Sequence, residues 1–228
     1  MNLPRVVALT GGVAEASDVP ALLRAVGRAV DGGLRGVLLR EPRLSDRAWL
    51  ELARGIRALD GGRGLWFAVH DRAHLARAVE ADAVHAGLRS LAPGVLRARF
   101  GAELAYGLST HAGDDVALWE AADYLFHGPV RATASKPEAR PLGVDGLARA
   151  VASTSRPVYA LGGQRPEDAR DARRAGAYGA AVLSGILGAE DPGAAAAAYV
   201  RAAVEAYGDE HGAASVADGS RGAQHDHD

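Results

Sequence analysis

Short apolar runs alternate along this chain with longer Ala-, Leu- and Arg-rich segments whose apolar residues recur at helical spacing, and the unit repeats about eight times. Strand, helix and strand in succession make a right-handed crossover that pairs the strands in parallel. Strands are expected at Val6 to Leu9, Gly36 to Leu39, Leu65 to Val69, Ala83 to His85, Leu104 to Gly107, Tyr124 to Phe126, Val158 to Leu161 and Ala180 to Leu183. Helices are expected to begin near Asp18, Ser45, Arg72, Pro93, Ala112, Val144, Pro166 and Pro192, several of them opened by Asp, Ser or Pro. Eight such units favour an α/β fold with a single (β/α)8 TIM barrel over an open doubly wound sheet.

The length of 228 residues, 48% of them apolar, suits one large core. Residues 1–207 read as the barrel. Residues 208–228 turn to Gly, Ala, Ser, Asp and His without apolar periodicity, and read as a disordered tail. Its closing His225, Asp226, His227 and Asp228 carry metal-ligating atoms, but a mobile tail lacks the supporting hydrogen bonds of a metal site. With no cysteine, disulfides, thiolate ligands and a cysteine nucleophile are excluded. A net charge of −2 with dispersed arginines argues against nucleic-acid binding, and no apolar run is long enough to span a membrane. The strand-like Arg5 to Thr10 stands where a secretory leader would show a basic and then a long apolar stretch, so a cytoplasmic enzyme is expected. Homo-oligomerisation through helical faces stays open.

Two glycine corners point to a ligand. Val158 to Gly163, and then Gly176 to Ser184, read as strands running into turns at the same end of the barrel, the second opening a helix. Glycine lets backbone N–H groups approach an anion, and a helix start adds partial positive charge. Gly162, Gly163, Leu183 and Ser184 are therefore expected to cradle a phosphate.

Chemistry in a parallel barrel sits after the C-terminal strand ends. There the chain carries Leu39-Arg40-Glu41-Pro42, His70-Asp71-Arg72, His85 to Leu91, Gly107 to His111, and His127-Gly128-Pro129 through Thr133, Ser135 and Lys136. Several of these have simpler readings. Arg40 and Glu41 suit a rim salt bridge, Asp71 a helix cap, His85 a hydrogen-bonded core position, and the Pro137- and Pro141-containing loop a solvated lid.

Taken in order, these segments resemble the thiamine-phosphate synthase and TenI family from Val6 to about Ala203. The arginine motif is matched by Leu39-Arg40-Glu41, the Asn-Asp motif by His70-Asp71, and the G-x-S-x-H turn by Gly107 to His111. The Gly-Pro-x-x-x-Thr-x-Thr-Lys loop is matched by Gly128 to Lys136, and the glycine pair and final Ser turn by Gly162, Gly163 and Ser184. The resemblance implies a small phosphorylated thiazole as substrate. For the synthases it also implies a pyrimidine pyrophosphate that ionises with Mg²⁺, its metal held by two carboxylates. On that reading Asp71 is the first metal carboxylate, Arg40 and Lys136 contact pyrophosphate, and Ser109 lies near the reacting groups.

The departures cluster on the pyrimidine side. Leu38 and Pro42 replace a Gln and a Lys, His70 replaces the Asn, and Ser90 falls where the second metal carboxylate belongs. Charge-assisted contacts contribute roughly 1.5–3 kcal/mol each, so their loss weighs against pyrophosphate ionisation. The TenI branch, which aromatises a thiazole carboxylate phosphate by moving a proton, needs no metal. It places a histidine where this chain has Pro129. His127, two positions earlier, is the expected substitute, with His70 or His111 as alternatives. The expected site is thus His127, Lys136 and Ser109 for catalysis, with Arg40, His70, Asp71, Thr133, Ser135, Gly162, Gly163, Leu183 and Ser184 binding substrate. No cofactor is expected for the tautomerase, and Mg²⁺ through Asp71 for a divergent synthase. A non-catalytic thiazole-phosphate-binding protein is the remaining possibility.

Overall fold

The computed structural model describes residues 2–12, 15–135 and 137–208, so Lys136 and the tail from residue 209 onward lie outside the described residues. Eight strands close into a barrel in sequence order: β1 (Val6–Leu9), β2 (Gly36–Leu39), β3 (Trp66–His70), β4 (Ala83–Ala86), β5 (Ala105–Thr110), β6 (Tyr124–His127), β7 (Val158–Leu161) and β8 (Gly179–Val182). Every neighbouring pair is parallel, and β8 returns to β1 through Val6 opposite Ala180. Helices α1 (Val19–Asp31), α2 (Asp46–Ala58), α3 (Ala73–Ala76), α4 (Pro93–Phe100), α5 (Gly143–Ala152), α6 (Ala169–Arg174), α7 (Ser184–Leu187) and α8 (Pro192–Tyr207) surround it.

The alternation of side chains along each strand separates two cores. Val7, Leu9, Leu38, Trp66, Ala68, Ala83, Tyr124, Phe126, Tyr159 and Ala181 fill the barrel interior. Their neighbours in sequence, such as Ala8, Val37, Phe67, Val84, Leu125 and Ala160, face the helices. The ring closes where α8 packs on α1: a β-carbon on Gly32 would collide with the backbone of Gly193.

The expected helix near Ala112 is instead a 3₁₀ segment, Val116–Ala121. Gly113 takes a left-handed turn, and the Asp114 and Asp115 carboxylates accept the N–H groups of His111 and Ala117, so local hydrogen bonds displace a helical start. At the opposite end of the barrel one device appears twice. Asp82 accepts the Phe67 N–H and pairs with Arg57, and Asp123 accepts the Tyr106 N–H and pairs with Arg97.

Candidate active site

The inward parity of each strand decides which residues reach the C-terminal mouth. On β2 it runs from Leu38 to Arg40, whose N–H donates to Thr10 Oγ1 at 2.8 Å. The Arg40 guanidinium lies so close to Gly12 that a side chain there would clash, and buried Glu41 accepts the Gly12 N–H at 3.2 Å. Arg40 is thereby held at the corner between β1 and β2.

On β3 the parity runs from Ala68 to His70. Asp71 and Arg72 then both take left-handed φ values, 54° and 42°. That conformation is costly for residues with a β-carbon, and here it turns the Asp71 carboxylate back onto His70. His70 Nδ1 lies 3.1 Å from Asp71 Oδ2. The Ser90 hydroxyl also approaches the Asp71 carboxylate closely enough to act on its pKa, and its Oγ accepts the Gly87 N–H at 2.7 Å. Burial pushes the Asp71 carboxyl up, but the His70 and Ser90 hydrogen bonds outweigh it and hold its pKa below the usual value.

A divalent ion does not fit this corner well. Asp71 is its one carboxylate, already paired with His70, and Ser90 adds only a hydroxyl. No group of three or more His, Cys, Asp or Glu among the described residues is arranged to hold a metal.

On β4 and β5 the parity brings His85 and Ser109 together, with Nε2 to Oγ at 2.9 Å, and His85 Nδ1 reaches the Tyr124 hydroxyl at 3.3 Å. His85 is fully enclosed and stacks on Phe126. Burial drives its pKa down to about 3, aided by nearby His70 and opposed by Asp71. The expected core histidine is therefore present, and it is bonded directly to a mouth residue.

His127 is not brought to the mouth. Tyr124 and Phe126 point inward, so His127 faces the helix layer, where its Nδ1 bonds Thr110 Oγ1 at 2.9 Å and its ring lies against Trp119. Burial lowers its pKa to about 4. The expectation that strand parity carries His127 toward the mouth overlooked that its face of β6 is the outer one.

The loop after β6 runs along the end of β7. Val130 N–H donates to Leu161 O and Arg131 N–H to Gly162 O. Arg131 is tied down by Asp168 at 2.7 Å and Asp171 at 3.5 Å, so it is already neutralised by these two carboxylates. Gly162 and Gly163 have φ of 91° and 63°, and a β-carbon on Gly163 would strike Ala132 O and Arg131. The glycines thus admit this loop as well as turning the chain. Thr133 and Ser135 hydrogen-bond each other at 3.0 Å on the exposed side of the loop.

The same contacts orient the corner expected to take a phosphate. Gly162 O accepts from Arg131 N–H and from Gln164 Nε2. A trans peptide points its N–H opposite its C=O, which turns the Gly163 N–H away from the loop. Gln164 O accepts from Tyr199 Oη at 2.8 Å, while Arg165 N–H donates to Asp168, pinning the next peptide from both sides. Tyr199 Oη also sits against Gly185, leaving no room there for a side chain. Among the described residues, no acceptor takes the N–H groups of Gly163, Gln164, Ser184 or Gly185. Leu183 precedes Ser184 with interior parity, at the floor of the same corner. Tyr199, Gln164 and the Tyr124–His85 pair were not expected from sequence. The inward parity alone would have marked His85 and Tyr124 as neighbours of Ser109.

The thiamine monophosphate synthase family model matches residues 12–186. A thiamine-phosphate synthase of Laribacter hongkongensis is 42% identical over 175 residues, covering 76% of this chain and 83% of that protein. One from Moorella thermoacetica is 40% identical over 177 residues, covering 76% and 84%. The structure of thiamine phosphate pyrophosphorylase from Pyrococcus furiosus superposes with a TM-score of 0.78 at 29% identity, covering 90% of this chain and 97% of that one. With its closed barrel and ordered mouth motifs, this chain belongs to the thiamine-phosphate synthase and TenI family.

Proposed function

We propose that this barrel binds a thiazole phosphate at the β7 and β8 corners and moves a proton on it, as a TenI-like thiazole tautomerase. The observation that carries this reading is the His70–Asp71–Ser90 corner, where a histidine and a hydroxyl engage the carboxylate that a synthase would give to Mg²⁺. A carboxylate on Nδ1 favours the tautomer with the proton there, leaving Nε2 as an acceptor. Nε2 lies on the side of Gly87, whose missing side chain keeps that approach open. His70 therefore takes the role first assigned to His127: Nε2 removes a proton from one carbon of the bound ring system and returns it to another, with no atom gained or lost. Asp71 stabilises the imidazolium formed in between. The Gly163, Gln164, Ser184 and Gly185 N–H groups hold the phosphate, with Lys136, Thr133 and Ser135 proposed to close over it from the loop. Arg40 and Ser109 contact the carboxylate-bearing end.

A divergent synthase is the second reading, favoured by the relatives named thiamine-phosphate synthase at 40–42% identity and by the retained Arg40. Incubation with the thiazole carboxylate phosphate, and separately with the thiazole phosphate plus the pyrimidine pyrophosphate and Mg²⁺, separates the two. Tautomer turnover without thiamine phosphate is expected. Thiamine phosphate formed at an enzymatic rate would replace the first reading with the second. His70→Asn should lower tautomerase kcat by about 10²–10⁴-fold, the usual span for a general base, with phosphate binding retained.

A further inference from the structure

We infer that Tyr124 and His85 are positioning residues that fix the direction of the Ser109 hydroxyl, making it a hydrogen-bond donor toward the mouth. This deepens the proposed site in taking the substrate to lie beside Ser109, and it holds for either reaction. Tyr124 is fully buried, and its hydroxyl has His85 Nδ1 as its one side-chain partner among the described residues. A neutral imidazole donates through one nitrogen and accepts through the other.

If Nδ1 carried the proton, it would donate to Tyr124, and the phenol's own proton would be buried without an acceptor, an arrangement folded proteins avoid. If Nε2 carries it, every group is satisfied: Tyr124 donates to Nδ1, and Nε2–H donates to Ser109 Oγ at 2.9 Å. Ser109 then accepts from behind, and its own proton is directed at the half-buried side that faces the mouth. His85 cannot serve as a base that activates Ser109, so the serine is a donor to substrate oxygen or nitrogen and not a nucleophile. Burial keeps the imidazole neutral, the nearby titratable groups being Tyr124, His70 and Asp71. Stacking on Phe126, and the absence of a side chain at Gly107 where one would strike both His85 Nδ1 and Tyr124, keep the three groups in line.

The tautomer is read directly by NMR of the full chain with ¹⁵N-labelled histidine. A neutral His85 with the proton on Nε2, unchanged between about pH 5 and 9, is expected; a proton on Nδ1 overturns the inference. Two substitutions give the functional arm. Gln at 85 extends its amide to the Nε2 position, whereas Asn reaches only as far as Nδ1. H85Q should retain about tenfold more kcat than H85N at similar KM, and S109A should match H85N. Equal losses in H85Q and H85N would reduce His85 to a packing residue. Lack of turnover by the wild type would count against the proposed reaction, while the tautomer measurement still decides this inference.

Discussion

Tyr199 lies on α8, outside the barrel, yet its hydroxyl bonds the Gln164 carbonyl and abuts Gly185, touching both corners proposed to hold the phosphate. Removing one buried hydrogen bond of this kind costs about 1 kcal/mol. Tyr199→Phe should therefore weaken binding of the thiazole phosphate roughly fivefold by calorimetry, with little change in kcat. Gly163 adds a steric demand, because its left-handed φ and the adjacent Ala132 carbonyl leave no place for a methyl group. His127→Gln should leave tautomerase kcat nearly unchanged, since that ring lies on the helix side of β6. A large loss of kcat would return the proton transfer to His127.

His85 and His127 also shape acid stability. Both pKa values are depressed, to about 3 and about 4, against about 6.5 in the unfolded chain. The unfolded chain takes up these protons first, so the stability that depends on neutral rings is whole above about pH 6.5 and is lost as pH falls toward 4 and 3. The slope should approach about 2–3 kcal/mol per pH unit near pH 5. Urea midpoints measured across that window check it: about half that slope would show that one ring ionises in the folded state, and a flat profile that both do.

Among the elements, the strands were the most legible because each is a short apolar run bounded by polar turns. Their ends were less so: β5 extends to Thr110 and β3 to His70, and these extra residues carry the side chains that matter. The expected helix near Ala112 failed on local chemistry, since two aspartates in succession offer the backbone alternative acceptors. The paired devices at the other end of the barrel were invisible in sequence, because Asp82 and Asp123 reach backbone groups of the preceding strand. Asp123→Ala should cost roughly 1.5–3 kcal/mol of stability by urea unfolding, leaving substrate KM unchanged. A loss below 0.5 kcal/mol would mean that water replaces the carboxylate.

At the level of the whole molecule, period and order were enough for the barrel, since eight alternating units leave few ways to pack. The candidate site was legible as a list of residues after strand ends, and less so as a geometry. Which histidine faces inward depends on strand parity, and whether Asp71 is available depends on Ser90 folding back onto it. The first follows from where each strand starts and ends and the second from how the loop after β4 folds, and composition carries no trace of either. The proposed phosphate cradle lies on β7 and β8 and the His70–Asp71 corner on β3, so on the proposed reading one half of the pocket can keep its grip while the other changes chemistry.

The most direct test is calorimetric titration of the full chain with thiazole phosphate and, separately, with the pyrimidine pyrophosphate, each with and without Mg²⁺. Saturable binding of the thiazole phosphate that does not depend on metal, together with weak binding of the pyrophosphate, is the predicted result. Tight, Mg²⁺-dependent binding of the pyrophosphate, with no binding of the thiazole phosphate on its own, would contradict it.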